Sequence, residues 1–67
     1  MPNKPLKFFY RNWRGECGYR TVEGPVMWYG STTYHKEFQW FIRGYDLEKQ
    51  DFRDFAVNDI IEFVREV

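Results

Sequence analysis

The chain has 67 residues and 8.3 kDa, with 10 Lys+Arg against 10 Asp+Glu, 43% hydrophobic residues and 22% aromatic ones. One domain, residues 1–67, fills that length, since domains run to roughly 50–200 residues each, and so many aromatics exclude a disordered chain. No run of about 18 apolar residues offers a bilayer span, and the opening MPNKPLKFFY lacks a signal-peptide core, so a cytoplasmic domain with no membrane association is expected.

Residues 1–5, broken by Pro2 and Pro5, read as a loose lead-in. Residues 6–13 read as a strand with apolar groups on both faces, 12–16 as a connection around Gly15, and 17–22 as the second strand of a hairpin. Glu23-Gly24-Pro25 interrupts as a bend or bulge, because proline cannot donate to a ladder, and residues 26–29 resume the strand. A polar loop follows over 30–36. The strongest strand spans 37–45, with Phe38, Trp40 and Ile42 on one face and Gln39, Phe41 and Arg43 on the other. Residues 46–50 form a turn. Residues 51–57 return as a strand, whose Phe52 and Phe55 fall on different faces and so predict a bulge or an early end. The last stretch changes period: over 58–67, Ile60, Ile61, Phe63, Val64 and Val67 line one side of a helix with Asn58 as its N-cap, a terminal strand being the alternative. The fold expected is mostly β, a small, strongly bent antiparallel barrel of about five strands with a short C-terminal helix. So short a chain needs large aromatics for its core, and Trp40 is assigned there, shaping a pocket from below.

Charge is uneven beneath the zero net. Residues 1–36 hold six Lys/Arg and two Glu, a net +4; residues 37–67 hold four Lys/Arg and eight Asp/Glu, a net −4. Such asymmetry marks either a basic binding face or two halves that attract each other in the fold.

Little here suits catalysis. Cys17 is the only cysteine, which excludes an internal disulfide and a four-cysteine zinc site. Nothing in the spacing joins it to His35 as a dyad, and one histidine is a poor basis for a metal site. Asp46, Asp51 and Asp54 read as solvated, and the five glycines are too scattered for a phosphate loop. No enzyme, cofactor or metal is expected. Binding fits better: Arg11, Arg14, Arg20, Arg43 and Arg53 interleave with Tyr10, Trp13, Tyr19, Trp28, Tyr29 and Trp40. Guanidinium forks match anionic oxygens, and aromatic faces stack planar rings. A pI near 6.6 argues against generic nucleic-acid affinity and for a selective pocket or groove.

From Phe9 to Ile61 the chain resembles a divergent, stand-alone WYL domain, a bacterial module. Tyr10-Arg11-Asn12-Trp13-Arg14-Gly15-Glu16 is similar to that family's strand, turn and Gly-Glu, and Arg20-Thr21-Val22-Glu23-Gly24-Pro25 to its Arg-x-Val-x-Pro segment with one extra residue. Trp40-Phe41-Ile42 stands for the naming tripeptide, and Phe52-Arg53-Asp54-Phe55-Ala56-Val57-Asn58-Asp59-Ile60 for the family's ending. Two positions depart: Phe41 replaces the tyrosine, and Asp59 the arginine before the final isoleucine. The resemblance implies an SH3/Sm-like barrel that binds a nucleotide, an oligonucleotide (single-stranded nucleic acid) or another anion and regulates a partner protein. A lone module of this kind would fit a phage or mobile element. Arg20 and Arg53 would engage the anion, and Arg43, Trp40 and Tyr10 complete the expected site. The competing expectation is a protein-interaction module working by β-augmentation or as a homodimer.

Overall fold

Five strands, β1 (Leu6–Arg11), β2 (Cys17–Gly30), β3 (Gln39–Asp46), β4 (Asp51–Ala56) and β5 (Ile60–Phe63), make one antiparallel sheet in the order β4-β3-β2-β1-β5. A 3-10 turn, Val57–Asp59, joins the last two strands. The computed structural model describes residues 5–64. Residues 1–4 of the expected lead-in and 65–67 of the expected helix therefore lie outside the described part.

Asn12 makes the first turn. Its side-chain Oδ1 accepts the N–H groups of Arg14 and Glu16, both at 2.9 Å, while Gly15 takes φ +84°, a value that L side chains adopt at a cost. β2 is one strand of 14 residues, and the expected interruption is a bulge within it. The pairing runs Val22–Asp46, Glu23–Tyr45 and then Val26–Arg43, so β2 spends three residues where β3 spends two. Gly24 supplies φ +61°, and Pro25 sits where no ladder donor is required. At the second turn, Asp46 Oδ1 accepts the N–H groups of Glu48 at 2.9 Å and Lys49 at 3.4 Å.

The core gathers on one face. Phe8, Tyr10, Val22 and Phe55 are buried together, with Leu6 and Ile60 packed against them. Their rings meet edge to face, Phe8 to Phe55 at 5.1 Å and Tyr10 to Phe55 at 5.0 Å. The opposite face carries a smaller cluster, where Phe41 and Ala56 are fully buried and Trp28 stacks on Phe41 at 4.8 Å.

Three expectations need correction. The strands do not close into a barrel: β4 and β5 remain the two edges of the sheet. β5 has only four residues, and among the described residues a side-chain bond links β4 to β1, Ala56 N–H donating to Tyr10 Oη at 3.1 Å. The described part of the C-terminal helix is instead the 3-10 turn and β5, because pairing Phe8 with Phe63 and Tyr10 with Ile60 satisfies the outer edge of β1. Of the bulge or early end expected in β4, the second is found: the ladder is unbroken and stops at Ala56, with Phe52 and Phe55 on opposite faces, one exposed and one buried. Trp40 is not core but 51% exposed. It does share a face with buried Ile42, yet β1 pairs with β2 only from Cys17 to Val22, and that end of the face is left uncovered.

Candidate functional site

Three segments far apart in sequence surround one open concavity of about 620 Å³. The β1–β2 hairpin contributes Tyr10, Trp13, Arg14 and Arg20; the connection after β2 contributes Tyr34 and His35; the β3–β4 hairpin contributes Asp46, Lys49, Arg53 and Phe55. Register puts Arg20, opposite Phe8, and Arg53, opposite Gly44, on the core face of the sheet.

Of the five residues expected to bind, Arg20, Arg53 and Tyr10 line this concavity, and Arg43 and Trp40 do not. Arg20 is four-fifths buried, and its Nη1 lies 3.2 Å from Glu48 Oε1. Arg53 and Lys49 have no ion pair among the described residues. Arg43 is occupied elsewhere, its Nη1 donating to Asp54 Oδ2 at 2.9 Å while Trp28 Nε1 donates to Asp54 Oδ1 at 2.9 Å. Tyr10 stands at the inner wall. Burial pushes its hydroxyl above the ordinary value of 10.0 and Asp59 adds to the rise, while the bond from Ala56 N–H and the nearby Arg20 charge oppose it.

The rim is aromatic. Trp13 and Tyr34 stack at 5.7 Å with 23° between their planes, and the Arg14 guanidinium lies 5.0 Å over the Trp13 ring. Both rings stay largely exposed, at 61% and 69%. His35 anchors the segment that carries Tyr34: its N–H donates to Thr32 Oγ1 at 3.0 Å, its Nε2 to Asp59 Oδ2 at 3.0 Å, and its ring meets Phe41 edge-on. Asp59, where the sequence resemblance leads one to expect arginine, holds His35 and does not line the concavity. Carboxylates are nevertheless present. Asp46 is buried with Oδ2 unpartnered, and Glu16 and Asp54 also line the wall, so the surroundings are mixed and only modestly cationic.

Tyr34 and Lys49 were not legible as site residues, because both sit in connections whose meeting is set by long-range strand pairing and not by local pattern. The one available signal was an aromatic residue inside an otherwise polar loop. Among the described residues, no group of three His, Cys, Asp or Glu side chains could hold a metal ion. Compared with known proteins, the chain matches no family, and no curated protein or solved structure is similar to it.

Proposed function

We propose that this chain is a non-catalytic binding module, WYL-like in sequence and SH3/Sm-like in strand order, that takes a planar anionic ligand in the concavity and regulates a partner protein. A nucleotide or a short single-stranded oligonucleotide has the required chemistry. The observation that carries the reading is one of convergence: Arg20, Lys49 and Arg53 line the same opening as the stacked Trp13 and Tyr34. Guanidinium groups bind phosphate oxygens through paired N–H donors, and exposed rings stack a base whatever its sequence. The mixed charge of the walls favours a ligand with one or two phosphates over a long polyanion.

Tryptophan fluorescence tests this, because Trp13 is at the rim. Mononucleotides, dinucleotides and short single strands should give a saturable change at submillimolar concentration. Arg20→Ala and Arg53→Ala should each weaken binding about tenfold or more, as expected for charge-assisted hydrogen bonds. Arg43→Ala, outside the concavity, should leave affinity unchanged. No response at millimolar ligand, or a response indifferent to both Arg20 and Arg53, would sink the proposal.

A further inference from the structure

The cross-strand row Met27, Ile42 and Phe55 lies on the face that carries the core, and the next row on that face is Tyr29 and Trp40. Ile42 and Phe55 are buried, whereas Met27, Tyr29 and Trp40 are 56%, 57% and 51% exposed, and Phe38 beyond them is 70% exposed. Tyr29 ties the group together, its ring 5.4 Å from that of Trp40 and 6.1 Å from that of Phe38. The core face is therefore continuous, but the chain covers only part of it. Among the described residues, twelve large hydrophobic side chains are exposed, and four of them, Met27, Tyr29, Phe38 and Trp40, gather at this uncovered end.

Size and charge together select the occupant. Side chains of roughly 150–250 Å², about half exposed, leave on the order of 400–500 Å² of apolar surface across the four residues. Patches of that size on small proteins are commonly functional, and two such patches face to face bury about 1,000 Å², the lower bound for a specific interface. A two-fold axis sets a patch against itself, so a charged side chain within it would meet its own like charge. None of these four residues is charged, and the whole chain balances 10 Lys+Arg with 10 Asp+Glu, so two copies approach without net repulsion. We propose that the chain forms a two-fold dimer through Met27, Tyr29, Phe38 and Trp40, each copy completing the core face that the other leaves open. None of the four lines the concavity, so this dimer and the binding proposal stand or fall separately.

Sedimentation velocity on the full chain, from micromolar to near-millimolar concentration, reads the answer. The wild type should sediment at twice 8.3 kDa, and 1 M NaCl should leave the dimer in place, because apolar contacts are not screened. Tyr29→Lys and Trp40→Lys should each weaken the dimer at least about thirtyfold, the effect of losing a central aromatic anchor, with an unchanged circular dichroism spectrum. Phe38→Lys, the most exposed of the four positions, serves if either variant fails to fold. A single 8.3 kDa species at every concentration overturns the proposal and leaves the face to a different protein. A dimer that persists in all three variants also overturns it and moves the contact to the free edges of β4 or β5.

Discussion

Tyr10 ties the β4 edge to β1 across the open side of the sheet. Its ring packs within the Phe8–Phe55 cluster, while its hydroxyl accepts the Ala56 N–H, a donor on the β4 edge that no neighbouring strand takes. Tyr10→Phe keeps the ring and removes the acceptor, which strands a buried N–H at a cost of about 1–3 kcal/mol. Urea unfolding at neutral pH should register that loss as a lower midpoint with an unchanged slope. The same hydroxyl makes stability sensitive to alkali. Burial raises its folded pKa above the unfolded 10.0, so the folded state holds the proton more tightly. This contribution is complete below about pH 10 and declines as the pH climbs through the folded value. Tyr10→Phe should therefore start less stable at neutral pH and lose less on going to alkaline pH. An identical alkaline decline in both proteins would assign the sensitivity to other groups.

The bulge in β2 acts at the scale of the element, and it too can be isolated. A Cβ added at Gly24 would meet nothing within 4 Å, so any cost of substitution comes from the backbone at φ +61° and not from crowding. Gly24→Val should cost about 1–2 kcal/mol, whereas Gly24→Asn, which tolerates left-handed backbone, should cost much less. Equal losses in thermal unfolding would mean that φ is not what the position demands. This bulge was legible in the sequence, because Gly-Pro inside an aromatic, β-branched run has few other readings. The Asn12–Gly15 turn and β3 were legible for similar local reasons. The end of the chain was not: Ile60, Ile61, Phe63 and Val64 suit a helical face and a short strand alike, and the deciding partner, the free edge of β1, is some fifty residues away in sequence. Trp40 failed differently. Alternation correctly put it beside Ile42 on one face, but periodicity says nothing about how far along that face a cover extends. The site divides in the same way, with Arg20 and Arg53 marked by the family resemblance and Tyr34 and Lys49 visible only once the strands pair.

At the scale of the whole molecule, the charge asymmetry becomes an internal match. Two of the three arginine–carboxylate ion pairs among the described residues join the basic first half to the acidic second, Arg11–Asp59 at 3.9 Å and Arg20–Glu48 at 3.2 Å, and His35 Nε2 adds a hydrogen bond to Asp59 at 3.0 Å. Half-exposed pairs of this kind add little stability, but they do determine which cations remain for a ligand. Arg11 and His35 already face Asp59, Arg43 faces Asp54, and what lines the concavity without an ion pair is Arg14, Lys49 and Arg53. A basic face spread over the first half would neutralise four or more phosphates, whereas the proposed ligand engages Arg53, and Arg20 once its exposed partner Glu48 gives way, for about two. Salt distinguishes these cases, since log K for a single strand falls against log[salt] with a slope near −0.7 per phosphate neutralised. Between about 50 and 200 mM NaCl, a short oligonucleotide should show a slope near −1.4, roughly a sevenfold loss of affinity. Arg53→Ala should flatten that slope by about 0.7, and Arg43→Ala should leave it alone. A slope of −3 or steeper would return the cations to a general basic surface; a slope near zero would leave the two guanidinium groups without a phosphate to bind.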